Sequence, residues 1–169
     1  MTPRILVMGV AGSGKSTLSS RLAEALGVPL IEGDDHHSPG NLDKMRQGIA
    51  LEDADRMPWL DALATLLANS ARGAVLACSA LKRAYRDQFR HKVPEVRFVF
   101  LDVDPALAHS RVAARSTHLF PQSLVRSQLE TLEPPLDEPS VLRLDAHLST
   151  AQQCDTILAW LRPDSETSH

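Results

Sequence analysis

Apolar residues along the chain fall in short unbroken runs separated by longer amphipathic stretches. Ile5-Leu6-Val7-Met8, Ala74-Val75-Leu76-Ala77-Cys78 and Phe98-Val99-Phe100-Leu101 are each too short for a helix and lack polar alternation. Such runs suit strands buried on both faces of a parallel sheet. Pro29-Leu30-Ile31 begins a shorter second strand, and Val141-Leu142-Arg143-Leu144 is a weaker fifth. Between them lie helical patterns. Leu18, Leu22 and Leu26 recur at helical spacing, with Gly27 placed to end that helix. Asp104-Pro105 supplies an N-cap and a first-turn proline for a helix running towards Arg115. Ser149 with Gln152 forms a capping box ahead of Cys154, Ile157, Leu158 and Leu161. Strand–helix alternation without an internal repeat predicts an α/β sandwich around a parallel sheet.

Length and composition narrow this picture. With 169 residues, 43% of them hydrophobic, the chain suits one compact domain over residues 1–162, with 163–169 as a disordered tail. A net charge of −3 argues against nucleic acid as an obligatory partner. No apolar run approaches bilayer-spanning length, so no membrane association is expected. Arg4 precedes only a short apolar stretch, which does not read as a secretory leader. The two cysteines, Cys78 and Cys154, lie far apart and read as reduced core thiols of a cytoplasmic protein.

The segment between the first run and the first helix carries chemistry. Gly9-Val10-Ala11-Gly12-Ser13-Gly14-Lys15-Ser16-Thr17 fits the P-loop pattern, and it stands between a strand and a helix as that motif requires. Gly9, Gly12 and Gly14 let the backbone turn tightly and aim N–H groups, those of Ser13 and Thr17 among them, at phosphate oxygens. The following helix adds the positive end of its dipole. Lys15 is expected at the β- and γ-phosphates of ATP, and the Ser16 hydroxyl at Mg²⁺. A plain glycine-rich turn would not require Gly-Lys-Ser. No NKxD-type guanine reader is present, and the chain is too short for a motor ATPase. "FVFLD", ending at Asp102, imitates a Walker B strand. The strand beside the P-loop strand is instead expected to be the third, which leaves Asp102 as a polar strand end or, with Asp104, a helix-entry residue.

A kinase needs an acceptor site. Asp34-Asp35-His36-His37 follows the second strand at the sheet edge where ligands gather. About forty residues separate the second and third strands, more than one crossover helix needs. The surplus predicts a helical insert over 34–73 that covers the acceptor. Its polar density suits a hydroxylated, charged substrate. Several of its charges, Asp43, Lys44 and Asp53 among them, read equally as solvated surface. The paired histidines lack a third ligand at metal-binding spacing.

Five blocks carry a resemblance: Gly9–Thr17, "GDDHH" (33–37), "DADRMPWL" (53–60), "CSALKRAYRD" (78–87) and "LETLEPP" (129–135). In this order they closely resemble the gluconokinases, P-loop kinases of D-gluconate, over about Ile5 to Leu144. The resemblance implies transfer of the ATP γ-phosphate to the 6-hydroxyl of gluconate, with ATP and Mg²⁺ as cofactors. It also implies the nucleoside-monophosphate-kinase type of three-layer α/β P-loop fold. That fold has a five-stranded parallel sheet, a substrate-binding insert and a lid, and commonly a homodimer.

On this reading Asp34 orients the acceptor hydroxyl and takes its proton, with Asp35 as the alternative. His37 lines the acceptor site. Arg56, Lys82 and Arg86 are candidates for the gluconate carboxylate and the reacting phosphate. Lys82 and Arg86 lie four apart, which also fits a solvated helix face. The lid spans 111–128, with Arg111 and Arg115 aimed at the triphosphate. Ser116-Thr117 stands where family members often carry Lys-Gly, and Arg126 is a candidate for the missing charge. Shikimate kinase-like and adenylate-kinase-like enzymes share the architecture. A non-catalytic nucleotide-binding protein is the alternative from another class.

Overall fold

The structure is a computed structural model and describes residues 2–114 and 122–163. Among these, five parallel strands form one sheet: β1 (Arg4–Met8), β2 (Leu30–Glu32), β3 (Ala74–Ala77), β4 (Arg97–Asp102) and β5 (Val141–Asp145). Their spatial order is β2–β3–β1–β4–β5. The helices are α1 (Lys15–Leu26), α2 (Pro39–Arg46), α3 (Asp53–Ala68), α4 (Arg83–Lys92), α5 (Pro105–Ala114), α6 (Gln122–Thr131) and α7 (Thr150–Leu161). All five predicted strands form, each within two residues of its apolar run.

Central β1 shows why its run is unbroken. Successive strand residues point to opposite faces. Ile5 and Val7 pack with Leu18 and Leu22 of α1, Val75 of β3 and Ile157 of α7. Leu6 and Met8 pack on the other side with Leu60, Leu63 and Leu67 of α3, Phe89 of α4, and Phe98 and Phe100 of β4. Both faces are covered, so no position tolerates a polar residue. The result is three layers, helix–sheet–helix.

Helix ends follow local chemistry. Gly27 ends α1 with a left-handed backbone, φ 68°. Ser149 and Gln152 form the predicted reciprocal box on α7. Glu52 and Asp55 form another on α3. The stretch between β2 and β3 carries a 3₁₀ turn (Gly33–His36), α2 and α3. Leu60, Leu63, Ala64 and Leu67 of α3 are fully buried in the core, so α3 is also the crossover helix of the sheet.

The chain leaves β1 for β2 and leaves β3 for β4, in opposite directions along the sheet. The carboxyl ends of β1 and β3 therefore flank the switch point where open α/β sheets bind ligands. Asp102 forms an exposed ion pair with Arg143 (Nη2–Oδ2 2.6 Å), as a polar strand end. β4 is the second neighbour of β1, so adjacency alone does not exclude a Walker B reading of that strand. Cys78 and Cys154 are buried free thiols, and burial pushes Cys78 up to about 12. No helix of the described residues is long and apolar enough to cross a membrane.

Candidate active site

The loop from Gly9 to Gly14 joins β1 to α1 over the switch point. Gly12 adopts φ 83°, and a Cβ there would meet the Ala108 carbonyl oxygen at 2.4 Å. Only glycine fits where α5 packs on the loop. Gly14, φ 97°, is the N-cap of α1 and provides no side chain to cap it. The first turn of α1 also lacks acidic residues. By contrast, side chains cap α2, α3 and α7. A helix start left without a carboxylate or hydroxyl cap, preceded by a glycine nest, is built for an anion. The donor set therefore fits the triphosphate of ATP.

The remaining loop residues divide. Ser13 Oγ is buried without a hydrogen-bond partner among the described residues, and it fills the space beside Gly9. Lys15 Nζ donates to the Val10 carbonyl at 3.1 Å and lines the cavity. Thr17 is exposed beyond the cavity wall. Arg111, expected at the triphosphate, instead spends its guanidinium on backbone carbonyls and braces the loop. Its Nη1 donates to the Gly12 and Ser13 carbonyls at 3.2 and 2.9 Å, and its Nη2 to Ala146 at 2.9 Å. Arg115 and the part of the lid from 116 to 121 lie outside the described residues. Arg126 is exposed and pairs with Glu130, away from the loop.

Ser16 Oγ donates to Glu32 Oε2 at 3.1 Å, which makes Glu32 a site residue that the sequence reading missed. Burial, together with Asp34 and Asp35, pushes the Glu32 carboxyl above its ordinary value, against the pull of Ser16 and Lys15. Its signal was position: it is the last strand residue before the Gly33 turn. Ser16 and Glu32 offer hard oxygens suited to Mg²⁺. No cluster of three or more His, Cys, Asp or Glu that could hold a metal exists among the described residues, so phosphate oxygens and water would complete the shell.

Opposite the P-loop, Asp34, His37, Arg56 and Trp59 line the same cavity, while Asp35 is exposed. Arg56 is nine-tenths buried, donates to the Tyr85 hydroxyl at 3.1 Å and lies 5.6 Å from the Tyr85 ring centroid. Tyr85 in turn donates to Asp53. Trp59 Nε1 donates to the Gly33 carbonyl at 2.7 Å and its ring stacks on His37 at 3.9 Å. Burial, with Arg56 nearby, lowers His37 to about 4, so the imidazole is neutral. Trp59 follows Arg56 by three on α3, a spacing that puts both on one face. Gln128 of α6 closes the cavity, accepting from the Ala11 N–H at 2.7 Å.

Two predicted substrate ligands are not in this cavity. Arg86 is fully buried and forms a two-point ion pair with Glu138, at 2.8 and 2.6 Å. It also donates to the Ala80 and Glu133 carbonyls at 2.8 and 2.7 Å. All its donor nitrogens are engaged, so it staples the loop after β3 to the segment after α6. Although burial opposes it, Arg86 and Arg90 hold the Glu138 carboxyl below its ordinary value. Lys82 precedes α4 as its N-cap and pairs with Asp53 at 3.1 Å outside the cavity lining. The two residues therefore do not share a helix face.

A parallel sheet with the P-loop at its switch point and a second polar wall across the cavity defines a P-loop kinase. A family model described as an AAA domain matches residues 5–135. The chain is 41% identical to the thermosensitive gluconokinase of Escherichia coli over 157 residues, 88% of this chain and 83% of the relative. It belongs to the gluconokinase family. It is also 45% identical to the gluconokinase of Gluconobacter oxydans over 148 residues, 85% of this chain and 83% of that one. Among solved structures, a gluconokinase from Sinorhizobium meliloti superposes with TM-score 0.86 at 45% identity, covering 94% of this chain and 90% of that one. An APS kinase from Mycobacterium tuberculosis, TM-score 0.68 at 20% identity, shares the fold.

Proposed function

We propose that this protein transfers the γ-phosphate of ATP to the 6-hydroxyl of D-gluconate, giving 6-phospho-D-gluconate and ADP. The observation that carries this is the cavity's two unlike walls. One is an uncapped anion cradle. The other joins a carboxylate (Asp34), a neutral imidazole (His37) and a buried guanidinium (Arg56). A sugar acid has a carboxylate at one end and the reacting hydroxyl at the other. Arg56 suits the first and Asp34 the second.

In the reaction the backbone N–H groups and Lys15 hold the phosphates and offset charge as it develops. The hydroxyl oxygen bonds to the γ-phosphorus as the bond to the β–γ bridging oxygen breaks. Asp34 takes the hydroxyl proton. Ser16 and Glu32 would hold Mg²⁺, which supplies charge neutralisation at the phosphates when bound. The lid with Arg115, a homodimeric assembly, a cytoplasmic location and a single 1–162 domain belong to the same reading.

The test is ADP release with ATP, Mg²⁺ and a panel of gluconate, other sugar acids, glucose, shikimate and AMP. Gluconate should turn over fastest. Glucose, without a carboxylate for Arg56, should be poor. Equal turnover of glucose and gluconate would overturn the sugar-acid assignment.

A further inference from the structure

Asn41 is buried in the first turn of α2, where its backbone N–H donates to Ser38 Oγ at 3.1 Å. Its side-chain Nδ2 lies 2.9 Å from the Asp55 carbonyl oxygen and 3.3 Å from His37 Nδ1. A carbonyl oxygen only accepts, so the amide presents its NH₂ group to Asp55. The flipped amide would set oxygen against oxygen. One amide hydrogen goes to Asp55 and the other to His37 Nδ1, which must then accept. A neutral imidazole carries one proton, which therefore sits on Nε2.

The ring plane is fixed as well. His37 stacks on Trp59 with 20° between the planes, and Gly33 anchors Trp59 by its carbonyl. Only 2% of the His37 side chain is exposed. The charged groups facing it are Arg56, which disfavours a second proton, and Asp34. Nε2 is 3.9 Å from Asp34 Oδ1, beyond a direct hydrogen bond, and both residues line the acceptor cavity.

We propose that Asn41 is a positioning residue that locks His37 as the Nε2–H tautomer, making His37 a hydrogen-bond donor to the acceptor hydroxyl beside Asp34. This deepens the proposed function and rests on its acceptor site. The tautomer has a chemical consequence. A bare Nε2 lone pair would compete with Asp34 for the hydroxyl proton. An Nε2–H instead binds the hydroxyl oxygen and leaves its proton directed at the carboxylate. The acceptor then has one base and one orienting donor.

The direct reading is a long-range ¹H–¹⁵N spectrum of the histidines in the full chain, without ATP or acceptor. His37 should show the Nε2–H pattern between about pH 6 and 8. Asn41→Asp puts a carboxylate where the NH₂ stood and should draw the proton to Nδ1. Its kcat with gluconate should then fall about tenfold, with the KM for ATP held within about twofold. A wild-type spectrum with the proton on Nδ1 would overturn the proposal. So would Asn41→Asp with a switched tautomer and unchanged kcat. Should Asn41→Asp not fold, His37→Gln and His37→Leu decide. The glutamine N–H can replace Nε2–H and should retain kcat within about threefold, where leucine loses about tenfold. Equal losses in the two would also overturn it. Because the spectrum is read without substrate, a failed gluconate panel and a wrong tautomer are separate results.

Discussion

Replacing Arg56 by alanine separates the two walls of the cavity. Arg56 is nine-tenths buried as a residue, so its bond to a carboxylate is formed largely out of water. Loss of a charged hydrogen-bond partner costs about 1.5–3 kcal/mol, which is roughly a 10- to 150-fold rise in the KM for gluconate. The structural cost is smaller. The Tyr85 hydroxyl keeps Asp53 as its partner, and Lys82 Nζ remains 5.7 Å from the Tyr85 ring. The lost bond to Tyr85 and the lost ring contact together cost about 1–2 kcal/mol of stability. Arg56→Ala should therefore fold with a modestly lower Tm and a KM for ATP close to that of the parent. Arg56→Lys should recover part of the gluconate affinity, since it restores charge without the planar fork. Coupled ADP-release kinetics, varying each substrate in turn, measure both constants. Equal rises in the two KM values, or an unchanged KM for gluconate, would refute the assignment of Arg56 to the acceptor carboxylate.

Asp34→Asn should lower kcat by about 10²–10⁴-fold with little change in the KM for ATP, and a defect confined to ATP would move Asp34 to the metal shell. Arg86→Ala leaves Glu138 buried without its main partner. It should cost about 3–5 kcal/mol in denaturant unfolding while the KM for gluconate of the folded fraction stays put. A stable Arg86→Ala protein with a raised KM would return Arg86 to the substrate. Burial and Arg56 lower His37 from 6.5 to about 4 in the fold. As pH falls below 6.5 the unfolded chain takes up a proton that the folded chain refuses. Stability contributed by the neutral ring is thus full above 6.5 and declines down to about 4. Urea midpoints across that range should slope less in His37→Gln, and parallel slopes would contradict the burial argument.

Strands and P-loop were legible because their signals are local. An apolar run of four or five residues without alternation is too short for a helix and fits a strand covered on both sides, and Gly-Lys-Ser after such a run admits few readings. The place of Asp34 in the cavity was legible because strand ends line the ligand edge in this fold class. Arg86 was misread because its partner, Glu138, is 52 residues away, and a charge without a visible partner reads as exposed. The same-face argument for Lys82 and Arg86 failed at a boundary, since α4 begins at Arg83. Asn41 carried no pattern of its own. Its importance comes from two contacts, one to His37 four residues back and one to Asp55 on the next helix. Trp59 sat inside a recognised block, yet its role depends on the Gly33 carbonyl at the far side of the insert.

The start of α1, where neither Gly14 nor the first turn supplies a cap, has a thermodynamic consequence. The starts of α2, α3 and α7 take side-chain caps from the chain itself, whereas this one leaves its first N–H groups for a solute to cap. Nucleotide is then an external part of the protein's own stability. A ligand that binds only the folded form adds about 2.7 kcal/mol at a hundred times its Kd. The melting temperature should therefore climb with ATP concentration, and starvation of nucleotide should leave the enzyme more prone to unfold.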